Sequence, residues 1–128
     1  MSRMWGIEEF HEAISANNRL KYQLKVFEDD LKIIQREVSN GTFDEPETVV
    51  DEMILDINDF SDKCESFLDC SAAVEIIRDM GHYSKPIAFV LRLEDLVSQA
   101  SDAIKAIDED IESCEESMNY LEEHHIYD

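Results

Sequence analysis

From Phe10 to Val38 the chain places Phe10, Ala13, Asn17, Leu20, Leu24, Phe27, Leu31, Ile34 and Val38 in strict alternation of three- and four-residue steps, and neither glycine nor proline interrupts the run. That spacing keeps one stripe of an α helix apolar over its whole length, and no strand can reproduce it. A helix over residues 7–39 is about 50 Å long at ~1.5 Å per residue, so it needs partners that are themselves long helices. Asn40-Gly41 supplies a left-handed stop, and Thr42-Phe43-Asp44-Glu45-Pro46-Glu47 supplies an acidic cap, a first-turn proline and a capping-box Glu for a second helix.

The second helix, residues 45–69, has the stripe Val50, Met53, Ile57, Phe60, Cys64 and Phe67. The register then slips, because Ser71 and Arg78 fall in the seam while Ala73, Ile76, Ile77 and Met80 leave it. A break at 69–71 followed by a short helix over 72–80, ending at Gly81, accounts for the slip. Pro86 opens a third long helix, residues 85–124, with Val90, Leu93, Val97, Ala100, Ile104, Ile107, Ile111, Cys114, Met118 and Leu121 in its stripe. Its start, Ile87-Ala88-Phe89-Val90-Leu91, is apolar all round and is expected to be enclosed, with the far end thinner.

Short connections between long helices favour antiparallel neighbours. The expected architecture is therefore all-α: a single domain over 1–128, an elongated antiparallel three-helix bundle with coiled-coil-like heptad packing and a short extra helix near 72–80. A fourth helix from a second chain fits the same heptads. The length suits one domain with its own core, and only five glycines and prolines argue against a loop-rich β fold. No run of 18 apolar residues is present and the first residues lack the apolar stretch of a leader, so a cytoplasmic location is expected. Three cysteines, Cys64, Cys70 and Cys114, without a C-x-x-C pair fit a reducing compartment better than a disulfide framework.

The formal net charge is −20, and it is unevenly placed. Residues 1–40 carry six basic and seven acidic side chains, whereas residues 41–128 carry five basic and 24 acidic ones. One block, Asp44, Glu45, Glu47, Asp51, Glu52, Asp56, Asp59 and Asp62, opens the second helix without a base. The other, Asp108, Glu109, Asp110, Glu112, Glu115, Glu116, Glu122, Glu123 and Asp128, closes the third. If those two helices are antiparallel, both blocks meet at one pole. Their density there is about one charge per 1.8 Å, close to the ~1.7 Å of duplex DNA.

Such a surface excludes phosphate backbones and anionic membranes as direct ligands and favours a basic partner. Two readings compete: solvated acids that only keep the chain soluble, and carboxylates that stand in for phosphates on a nucleic-acid-binding protein or nuclease. In size and composition the chain resembles the acidic DNA-mimic inhibitors, anti-CRISPR and anti-restriction proteins among them, that phages and mobile elements make. That resemblance implies a viral, non-enzymatic inhibitor that blocks a basic DNA- or RNA-binding surface, with no cofactor. The residues expected to meet the partner are Asp51, Glu52, Asp56, Asp59, Asp62, Asp108, Glu109, Glu112, Glu115 and Glu116.

A second stripe on the first helix, Tyr22, Val26 and Ile33, lies opposite its main seam. A homodimer or a partner helix can cover it, which gives the alternative function of a coiled-coil adaptor or secretion partner; packing under the short segment, or single exposure, is the plain reading. Asn17, in the main seam, can fix register by pairing or remain wet. Two E-x-x-H patterns, Glu8 with His11 and Glu122 with His125, have di-metal spacing, but an up, down, up bundle holds them at opposite poles, so no metal site is expected. The acids of 56–62 approach EF-hand spacing, yet Phe60 occupies a ligand position and no glycine follows, so the stretch is expected to be helical. No phosphate loop, G-x-S-x-G or H-E-x-x-H motif occurs, and Cys64 and Cys114 sit in apolar stripes, so catalysis is not expected. Cys70, near the break, is the thiol most open to reaction, and Trp5 either anchors the N-terminus or meets a partner.

Overall fold

The computed structural model describes residues 6–41, 46–64, 71–81 and 88–124. They form α1 (Ile7–Ser39), α2 (Pro46–Cys64), α3 (Ser71–Asp79) and α4 (Phe89–Glu123), with no strand among the described residues. The break expected at 69–71 lies mostly outside the described residues. α1 stops where Asn40 N–H bonds the Arg36 carbonyl at 3.1 Å and Gly41 turns to φ +69°, a conformation glycine adopts without a Cβ penalty.

Side-chain contacts fix the directions of the helices. Asn17 and Lys21 of α1 meet Asp110 and Asp108 of α4, so rising numbers on one helix meet falling numbers on the other and the pair is antiparallel. Phe60 of α2 lines a cleft with Arg19, Tyr22 and Gln23 of α1 that Met53 does not reach, whereas Met53 shares the cleft that extends to Asp30, so α2 is antiparallel to α1 as well. α3 then runs back along α2, with the Asn58 amide donating to the Ile77 carbonyl at 3.2 Å and the methyl of Ile54 beside Gly81. Because α3 returns the chain toward the start of α2, α4 begins there: Arg92 bonds Asp51 at 2.6 Å. α2 and α4 are therefore parallel, and the course is up, down, up, down with a short third pass. The expected antiparallel pairing of the second and last long helices is thereby corrected.

The core gathers Leu24, Phe27, Leu31 and Ile34 of α1 with Val50, Ile54 and Ile57 of α2, Ala73 and Ile77 of α3, Met80, and Leu93, Leu96, Ala100, Ala103 and Ile107 of α4. Each large aliphatic side chain there contributes about 1.5–3 kcal/mol by burial. Past this region α1 and α4 continue together, with the buried Ala13, Ala16, Cys114 and Leu121, and among the described residues α2 and α3 do not follow them.

Three details of the expected seams change. In α2, Ile54 and Ser61 are buried while Met53 and Phe60 are half-buried, because α2 faces α3 as well as α1. In α4, Leu96 and Ala103 are buried while Val97 and Ile104 are half-buried, because α4 packs against both α1 and α3 and its buried face turns accordingly. The start of α4 is not enclosed: Val90 and Leu91 are both about half exposed, as geometry requires when the core lies along Leu93 and Leu96 and Leu91 stands ~200° round the helix from Leu93.

Candidate functional site

The ten acidic residues expected to meet a partner all lie on α2 and α4, whereas Asp44, Glu45 and Asp128 of the two blocks lie outside the described residues; the fold does not bring the blocks side by side. Arg92 sets the level of Asp51, so Asp62, eleven residues further along a parallel helix, stands near residue 103 of α4, before the second block begins at Asp108. The blocks follow one another along the bundle axis. From the level of Arg92 to Glu116, α4 advances about 36 Å at ~1.5 Å per residue. The ten candidate carboxylates over that length amount to about one per 3.6 Å, which is the spacing of phosphates along one DNA strand (~3.4 Å) and about half the density of a duplex.

Three of the ten already hold a cation of the fold. Asp51 accepts from Arg92, Asp108 pairs with Lys21, and Asp62 lies 3.7 Å from Arg78. None of these bases was marked by local sequence signals, since each reaches its acid from a different helix. Glu52, Asp56, Asp59, Glu109, Glu112, Glu115 and Glu116 are exposed and have no ion pair or hydrogen bond among the described residues. Asp110, between them on α4, instead turns inward to accept from the Asn17 amide at 2.9 Å. The last turn of α4 contains no base, so its acids meet the negative end of the helix dipole uncompensated.

α1 has the opposite character. Lys32 donates to Glu28 at 2.9 Å, and that hydrogen bond, reinforced by the Glu28 charge, holds the ammonium above its ordinary range. The stripe opposite the core is open: Tyr22, Val26 and Ile33 are 65%, 39% and 44% exposed. The alternative that α3 covers them is excluded by the packing of α3 on α2 and α4. α2 flanks this face, forming a cleft with Gln23, Val26, Phe27 and Asp30.

The two E-x-x-H patterns are not at opposite poles. Because α1 and α4 are antiparallel, Glu8 and His11 share an end of the bundle with Glu122, while His125 lies outside the described residues. Among the described residues no three His, Cys, Asp or Glu side chains gather to hold a metal ion. The acids of 56–62 are part of α2. Cys114 is buried; Trp5, Cys70 and the side chain of Cys64 lie outside the described residues. No described helix is long and apolar enough to cross a membrane.

The chain matches no protein-family model, no curated protein and no solved structure.

Proposed function

We propose that this protein is a non-enzymatic acidic interaction module that occupies the basic nucleic-acid-binding surface of a partner protein, as an anti-CRISPR or anti-restriction inhibitor does. The observation that carries this reading is the series of seven exposed carboxylates on α2 and α4 that have no ion pair among the described residues. Rigid helices carry these seven along about 35 Å of the bundle axis, about one per 5 Å against ~3.4 Å for phosphates along one DNA strand, so a Lys- and Arg-lined groove shaped for a phosphate strand meets a sparser series of negative charges. Lys21, Arg78 and Arg92 hold the three paired acids to the scaffold, which leaves Glu52, Asp56, Asp59, Glu109, Glu112, Glu115 and Glu116 as the contact set. The same row repels nucleic acid and anionic lipid, so the partner is protein.

The experiment is affinity capture with the full chain as bait, followed by elution with duplex or single-stranded DNA. Retained proteins should be nucleic-acid-binding, should leave as salt rises, and should be displaced by DNA. Reversal of Glu109, Glu112, Glu115 and Glu116 to Lys should abolish capture while the helical circular dichroism persists. Capture that survives both DNA and charge reversal overturns the reading. It would favour the second one, a coiled-coil adaptor that binds through Tyr22, Val26 and Ile33, which rests on their exposure.

A further inference from the structure

The outer face of α1 carries a heptad of its own, Ser15, Arg19, Tyr22, Val26, Asp29 and Ile33, continued by Glu12 and Arg36, and all eight side chains are exposed. Its charge order is self-complementary about Leu24. Tyr22 and Val26 stand two residues either side of Leu24, Arg19 and Asp29 five, Ser15 and Ile33 nine, and Glu12 and Arg36 twelve. We infer that this face is a homodimer interface in which α1 pairs antiparallel with α1 of a second copy around a twofold axis at the level of Leu24, on the exposed side of the helix between Tyr22 and Val26. Each Tyr22 then packs on the partner's Val26, each Arg19 meets the partner's Asp29, and each Arg36 meets the partner's Glu12.

The alternatives meet like charges. A parallel pair sets Arg19 on Arg19 and Asp29 on Asp29. An antiparallel pair slipped by one heptad sets Glu12 against Asp29 in one direction and Arg19 against Arg36 in the other. Like charges facing each other at such positions select against those registers. The side chains of Arg19, Arg36, Glu12 and Asp29 have no hydrogen bond or ion pair among the described residues, so the interface breaks none. The occupant is a second copy on charge grounds too: residues 1–40 sum to −1 in a chain of −20, so this is the face on which two copies meet with least repulsion. α2 flanks the face and leaves Tyr22, Val26 and Ile33 in the open.

Sedimentation equilibrium of the full chain over a wide concentration range tests the inference. The apparent mass should rise from 14.8 kDa toward twice that value. Val26→Asp should hold the mass at the monomer, as should Arg19→Asp or Asp29→Arg singly, whereas the double exchange Arg19→Asp with Asp29→Arg should restore the dimer. All these positions are exposed, and circular dichroism checks that each variant keeps its helices. A wild type that stays at 14.8 kDa throughout overturns the proposal and leaves the face to a different chain. Dimers indifferent to Val26→Asp, or a double exchange that fails to restore them, also overturn it.

Discussion

Arg92, in the first turn of α4, donates through Nη2 to Oδ1 of Asp51, 41 residues earlier in α2, over 2.6 Å. The contact ties the starts of two helices together and thereby makes them parallel. It also decides where the negative charge goes, because a parallel pair lays the two acidic blocks in sequence along the bundle instead of stacking them at one end. Arg92 is largely covered while Asp51 is more than half exposed, so water screens the pair from one side.

A double-mutant cycle on Arg92→Ala and Asp51→Ala measures that contact. The coupling energy should be about 0.5–1 kcal/mol in urea unfolding, discounted for the exposure of Asp51. Arg92→Ala alone should cost more than Asp51→Ala alone, because the arginine stem also covers apolar surface.

Asn17 is fully buried and donates to the Ala13 carbonyl and to Asp110, both at 2.9 Å. Asn17→Asp replaces the donor by a carboxylate facing a carboxylate. At neutral pH the variant should lose on the order of 3 kcal/mol relative to the wild type, since a buried like-charge pair resists ionisation. The pair's folded-state pKa is raised above the unfolded value, so the deficit should shrink as pH falls and a proton is shared, and grow as pH rises through the carboxylate range. Thermal melts of both proteins from acid to neutral pH check the sign.

Leu96 and Val97 separate the observed seam of α4 from the one its heptads imply. Leu96 is fully buried in the core, whereas Val97 is half-buried at its edge. Leu96→Ala should cost about 2–5 kcal/mol, the range for a buried leucine whose cavity closes incompletely. Val97→Ala should cost about 1 kcal/mol or less. A larger loss for Val97→Ala than for Leu96→Ala in urea unfolding would place the seam where the heptads alone put it.

The residues explain which parts of this fold were legible in advance. α1 was, because nine stripe positions in unbroken alternation and the Asn40-Gly41 stop leave one solution, and Ala13 through Ile34 are buried as that stripe requires. The direction of α4 was not. It depends on whether the chain between α2 and α4 reverses once more, and the nine residues of α3 do so through Asn58 to Ile77 and Ile54 to Gly81, contacts without a local signature. The acidic residues were identifiable as a group, but their arrangement followed from that direction. Which of them are spoken for within the fold depended on Lys21, Arg78 and Arg92, whose partners are 87, 16 and 41 positions away in sequence.

The exposed acids of α4 set stability against binding. Glu109, Glu112, Glu115 and Glu116 have no ion pair among the described residues and lie close together on α4 in a chain of net −20. Neutralising three of them, Glu112→Gln, Glu115→Gln and Glu116→Gln together, relieves repulsion and should raise stability by about 1 kcal/mol at low salt. The gain should fade as added salt shortens the screening length from ~30 Å at 0.01 M to ~8 Å at 0.15 M. The same variant should bind the basic partner more weakly, with a shallower dependence of affinity on salt, because fewer ions are exchanged at the interface. Melting temperature and partner affinity measured across one salt series would then move in opposite directions. A surface whose acids served solubility alone would show the gain in stability and no change in binding.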